Sequence, residues 1–158
     1  MSVYAGFIAS SLPGTPGTPA AVSASNLPMI QITWTAPSTN GGSAIQSYKI
    51  YENGVFAASV APTSLSYTET SALTTGLTYL FQVSAVNAIG EGSISGGISI
   101  MAAQVPSQPY TPTKLDASPI FIKVQWLAPL NGGSPILAYN VYSGGQLVAT
   151  KEGSVTEA

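Results

Sequence analysis

The sequence predicts an all-β chain built from seven-stranded antiparallel β-sandwich units in tandem. Three observations carry this reading. Apolar and polar residues alternate with a period of two in several short runs, Gly-rich turn signals separate the runs, and the pattern recurs after 91–93 residues. No segment shows a helical period.

The strands are placed in order at 19–25, 29–35, 44–52, 55–60, 64–70, 78–87 and 93–102. Ile30, Ile32 and Trp34 alternate with Gln31 and Thr33, as in a half-buried strand. Tyr48 and Ile50 alternate with Lys49 and Tyr51 in the same way. Asn53-Gly54 follows directly, and Asn-Gly after a strand signals a tight hairpin because both residues tolerate positive φ. The longest run is Tyr79 to Asn87, with Tyr79, Phe81, Val83 and Ala85 sharing one face. Asn40-Gly41-Gly42, Thr75-Gly76 and Gly90-Glu91-Gly92 supply further turns. Seven such strands within one repeat length read as a sandwich.

The repeat sets the organisation. Trp34-Thr35-Ala36-Pro37 returns as Trp126-Leu127-Ala128-Pro129 after 92 positions, and Asn40-Gly41-Gly42-Ser43 as Asn131-Gly132-Gly133-Ser134 after 91. Ile45, Tyr48 and Tyr51 match Ile136, Tyr139 and Tyr142. Leu12-Pro13-Gly14-Thr15-Pro16 aligns with Val105-Pro106-Ser107-Gln108-Pro109 after 93, which pairs Ala5, Phe7 and Ile8 with Ile98, Ile100 and Met101. The expected division is a last strand of a preceding unit over 1–12, a Pro-rich linker over 13–18, and a complete unit over 19–104. A second linker then spans 105–110, and the truncated first part of a following unit fills 111–158. Both linkers carry Pro at every third position, which suits an extended polyproline-like spacer. Units joined this way are expected to make a rod.

Composition removes much chemistry. The 158 residues hold 4 Lys+Arg and 6 Asp+Glu, a net charge of -2, and only 6% are charged against about 25% in an ordinary domain. All four cations are lysines, and the chain has no Arg, His or Cys. Zinc, haem and His- or Cys-based triads lose their usual ligands and nucleophiles, so no metal, no cofactor and no catalytic residue is expected. Four scattered lysines (Lys49, Lys114, Lys123, Lys151) cannot line a nucleic-acid groove. No apolar stretch approaches the 18 residues of a membrane span, so no membrane insertion is expected in this stretch. Met1 to Ala9 lacks the basic start of a signal peptide.

On these residues the chain resembles tandem fibronectin type III modules. The resemblance rests on Trp34 and Trp126, on Tyr48-Lys49-Ile50-Tyr51, and above all on the run from Leu77 to Gly92. It implies an immunoglobulin-like sandwich in which the Tyr79 hydroxyl binds nearby backbone as a tyrosine corner. Trp34, Tyr79 and Trp126 are then structural. A core of this size stands without disulfides, so the absence of cysteine says little about compartment.

Candidate sites are few. Glu52, Glu69, Glu91, Asp116, Glu152 and Glu157 fall singly on turns and strand ends, where they read as solubilising charges, since a glycosidase needs two carboxyls across a cleft. The Asn-Gly-Gly-Ser segments lack the helix start and lysine of a phosphate cradle and read as turns. The loop at Asn87, Gly90, Glu91 and Gly92 is a candidate binding loop, with no Arg-Gly-Asp motif available to it. Tyr51, Leu80 and Val86 take the outward phase of strands expected side by side, so they form a candidate contact face on a surface poor in charge. The expected role is a non-catalytic structural repeat of a long extracellular or cell-surface protein, in a filament. Its partners are neighbouring modules, further copies of the chain or another protein. Adhesion to a protein or glycan, and a spacer in a secreted carbohydrate-active enzyme, are the alternatives.

Overall fold

A computed structural model describes residues 9–22, 29–71 and 73–158. The chain divides into two compact units, Met1–Ala102 and Ala103–Ala158. The strand expected over 1–12 falls largely on residues 1–8, which lie outside the described residues.

Unit 1 is a sandwich of two antiparallel sheets. One contains β1 (Ala20–Val22), β2 (Ile30–Thr33) and β5 (Ser66–Glu69), in the order β1-β2-β5. The other contains β3 (Ser47–Glu52), β4 (Val55–Val60), β6 (Thr78–Val86) and β7 (Ile98–Met101), in the order β4-β3-β6-β7. The period of two does the sorting. Ile30 and Ile32 from one sheet meet Tyr48, Ile50, Tyr79, Phe81, Val83 and Ala85 from the other, with Trp34 edge-on to Tyr48 at 5.6 Å. Each large side chain so buried contributes about 1.5–3 kcal/mol. The Tyr79 hydroxyl accepts the Thr74 N–H at 2.7 Å, closing the corner before β6.

Several strand ends fall inside the expected bounds, including Ser47 for the strand expected from 44, Ser66–Glu69 for 64–70 and Ile30–Thr33 for 29–35. The strand expected from 93 begins at Ile98. Before it, Ser95 turns inward, its N–H donating to Val83 O at 2.8 Å and its Oγ accepting Val83 N–H at 3.0 Å. A side-chain oxygen replaces a backbone carbonyl there, so the ladder is irregular although the pairing continues. The strand expected over 19–25 is observed at Ala20–Val22, with 23–25 outside the described residues.

The expected linker over 13–18 is part of the folded unit. Ser11, Gly14 and Gly17 donate N–H bonds to Gly41 O (2.7 Å), Thr39 O (2.9 Å) and Thr35 O (3.0 Å) before β1 takes over the pairing. Pro13, Pro16 and Pro19 are all buried. Polyproline II has three residues per turn, so the same spacing that suggests a stiff tether puts the prolines on one face and the donors on another. The two glycines at this seam have steric causes. A Cβ on Gly41, which also has φ 71°, would stand 2.2 Å from Ser11 O; one on Gly92 would stand 2.3 Å from Pro13 O. The segment thus lies between 35–41 and 92–96, and the Asn-Gly-Gly turn is its receptor.

Unit 2 carries β8 (Thr113–Ser118) paired with β9 (Phe121–Gln125), and β10 (Ala138–Ser143) paired with β11 (Gln146–Glu152). Trp126 meets Tyr139 edge-on at 5.3 Å, repeating the Trp34–Tyr48 pair. Gln104 N–H donates to Gly132 O at 2.8 Å and Ser107 N–H to Leu130 O at 3.0 Å, the same seam again. No segment of 103–158 stands where β6 stands in unit 1. Ile122, at the repeat position of Ile30, is accordingly 70% exposed against 3%.

Candidate functional site

The outer face of the four-stranded sheet is set by register. Lys49 pairs with Ser84 and Tyr51 with Gln82, so Lys49, Tyr51, Leu80, Gln82, Ser84 and Val86 share the face opposite the core. Beyond β6 the chain turns back: Asn87 N–H donates to Gly90 O and Gly92 N–H to Ala85 O, with Val86 and Glu91 bridged. That turn lays Glu91 over the sheet.

Glu91 gathers the face. Its Oε2 accepts from Lys49 Nζ at 2.6 Å, and its Oε1 accepts from Ser84 Oγ at 2.6 Å and from the Tyr51 hydroxyl. Burial alone would raise its pKa, but the bonds from Lys49, Ser84 and Tyr51 outweigh it and hold the carboxyl at about 2. Lys49 is shifted up by its bond to Glu91, so its charge persists. The sign follows: stability from Glu91 is complete above the ordinary value of 4.5 and is lost as pH falls toward 2. A carboxyl titration by NMR should give a Glu91 midpoint near 2 and, in Glu91→Gln, no stability loss across that window beyond that of the other acids. A midpoint near 4.5 would show that the cluster does not form.

The three residues expected to form a contact face all lie on the outer face of the sheet, but they are not contiguous. Leu80 and Val86 are six residues apart on β6, about 20 Å at 3.3 Å per residue, with Gln82 and Ser84 between. Leu80 leans over Gly97 and is 36% exposed. Tyr51 instead meets Phe56 edge-on at 6.2 Å, and Lys49 Nζ stands 5.9 Å from the Phe56 ring centre. Phe56, 52% exposed, is the residue the sequence reading omits. The two-residue Asn53-Gly54 turn does place Phe56 opposite Tyr51, but Val55, Phe56 and Ala57 are all apolar and hide the strand's phase.

The candidate loop is used within the unit. Asn87 is buried; its Nδ2 donates to Ser11 O (2.7 Å) and Asn40 O (2.9 Å), and its Oδ1 accepts from Ile89 and Gly90 N–H. Gly90, at φ 152°, faces Leu12, and Gly92 faces Pro13. Ala88 and Ile89 are left exposed. Two of the acids read as surface charges are also structural. Besides Glu91, Glu69 is 7% exposed and accepts from Tyr67 Oη (2.6 Å) and from Ser71 N–H and Oγ (both 2.7 Å). Burial pushes its pKa up, and those bonds more than reverse the shift.

Among the described residues no helix is long and apolar enough to cross a membrane. The model of the fibronectin type III domain matches residues 16–100. Fibronectin type-III domain-containing protein 3A of Pongo abelii is 29% identical over 136 residues, covering 82% of this chain and 12% of that protein. Myomesin-2 of Homo sapiens is 42% identical over 72 residues, 42% of this chain and 5% of that one. The chain therefore spans a small part of these relatives. Titin domains solved in the crystal share the fold at a TM-score of 0.53 and 22% identity, over 59% of this chain and 33% of theirs. A human FNIII domain solved in solution gives the same score and identity over 68% of this chain and 93% of its own. Matched over more than half its length, and carrying the sandwich and tyrosine corner in its first unit, the chain belongs to the fibronectin type III family.

Proposed function

We propose that this chain is a non-catalytic structural repeat, a length-setting building block of a long extracellular or cell-surface protein that assembles laterally into filaments. One observation carries the structural part. Ala102 is the last residue bonded within unit 1, its N–H donating to Leu77 O and its carbonyl accepting from Gly76 N–H, and Gln104 is bonded within unit 2. Ala103 alone lies between them. The residues on both sides are spent on folded β-structure, which suits a building block. The similarity to modules of titin and myomesin agrees with this role.

The non-catalytic reading is supported by the acids, since Glu69 and Glu91 are held by bonds inside the unit. Placement outside the cell is supported by the hydroxyl-rich, charge-poor exterior; labelling of intact against permeabilised cells tests it. Lateral contact uses the outer face at Tyr51, Leu80 and Val86, joined by Phe56. The Lys49–Glu91 pair cancels its own charge there, so two copies meet without like-charge repulsion. The double variant Leu80→Lys with Val86→Lys should reduce self-association in sedimentation. Both side chains point away from the core, so the unfolding free energy should change by no more than about 0.5 kcal/mol per site. Undiminished association in a folded double variant ends the lateral-contact proposal.

A further inference from the structure

We propose that Asn53 is a site of spontaneous backbone-assisted amide loss, distinguished by the fold from the other two Asn-Gly steps, Asn40-Gly41 and Asn131-Gly132. Asn53 and Gly54 form the β3–β4 turn at φ 50° and φ 79°. The reaction needs the glycine nitrogen to reach the asparagine Cγ, so the peptide between them must swing. At Gly54 there is room for this on the glycine side, with no atom within 4 Å of where a Cβ would stand, while Asn53 itself stays bonded to Leu80. At Gly41 the N–H donates to Thr39 Oγ1 (3.1 Å) and the carbonyl accepts Ser11 N–H (2.7 Å). At Gly132 the carbonyl accepts Gln104 N–H (2.8 Å), and a Cβ would stand 2.1 Å from Gln104 O. Both are pinned by docked segments at the start of their own units.

The electrophile is prepared at all three steps, since Asn40 Oδ1 accepts Gly42 N–H (2.9 Å) and Asn131 Oδ1 accepts Gly133 N–H (3.0 Å), so the distinction rests on the peptide. Asn53 Oδ1 accepts Leu80 N–H at 2.9 Å, which polarises Cγ and faces the oxyanion that forms on attack. The Gly54 N–H proton passes to hydroxide, the nitrogen bonds to Cγ, and the Cγ–Nδ2 bond breaks. Nδ2 takes a proton from water and leaves as ammonia, giving a five-membered imide. Water then opens the imide at Cγ, giving aspartate, or at the backbone carbonyl, giving isoaspartate. No oxidant or reductant takes part. Either product adds a negative charge beside Glu52. The isoaspartate also lengthens the turn by one carbon and disrupts the bond from Asn53 N–H to Leu80 O, loosening the hairpin that carries Tyr51 and Phe56.

The test incubates the whole 158-residue chain in mildly alkaline buffer at body temperature, with peptide mapping and isoaspartate-resolving fragmentation at all three steps. Asn53 should convert about tenfold faster than Asn40 and Asn131, and the three rates should converge in denaturant. Gly54→Ala should slow conversion; if that variant misfolds, the comparison of the three native sites still decides. Equal native rates, faster loss at Asn40 or Asn131, no loss at Asn53, or the same ranking in denaturant would each overturn the proposal.

Discussion

Phe81→Ala is expected to lower the unfolding free energy of unit 1 by about 3–5 kcal/mol, the cost of removing a large ring from a packed core. Phe81 is fully buried in the middle of β6, among Ile32, Ile50, Val83 and Trp34. Neither sheet can close the gap alone, because β6 is fixed in register to β3 on one side and β7 on the other. Each unit carries one tryptophan, so denaturant unfolding followed by Trp34 fluorescence in a Trp126→Phe background reads unit 1 by itself. A loss below about 1 kcal/mol, the size of an ordinary substitution, would place Phe81 outside the core.

Asn87→Ala should cost about 2–4 kcal/mol although it removes no apolar surface. It removes the Nδ2 donors to Ser11 O and Asn40 O and the one Oδ1 acceptor shared by the Ile89 and Gly90 N–H groups, and part-buried groups left unpaired carry a desolvation penalty. Asn87→Asp should lose at least as much, since a carboxylate keeps the acceptors but faces two carbonyls with no proton to offer. Amide exchange locates the damage: Ser11 and Gly14 should exchange faster while Val83, bonded to Ser95, keeps its protection. Unchanged protection at Ser11 would mean that the side chain does not hold the segment.

The core was legible because alternation is a local signal. The run from Tyr79 to Ala85 names its own buried face, and Ile30, Ile32 and Trp34 do the same. The Glu91 cluster was not, because its lysine is 42 residues away and meets it only once β3 and β6 are in register. The docked prolines failed for a different reason. A period of three describes a free polyproline spacer and a packed one equally well, and only the receiving turn at Gly41 tells them apart. The turn after β6 shows in the sequence as Gly90-Glu91-Gly92, but the direction of the Asn87 side chain depends on Ser11 and Asn40, both remote in sequence.

The docked segment fixes where this module can be cut. An excised domain starting at the first β-strand, near Pro19, would leave the carbonyls of Thr35, Thr39 and Gly41 as a bare rim beside 92–96. Such a rim accepts foreign extended peptide, so the trimmed domain is expected to be sticky as well as weaker. A fragment meant for biophysics should open at or before Ser10, and grafting one module onto another should carry the Pro-x-x-Pro stretch with the body that receives it.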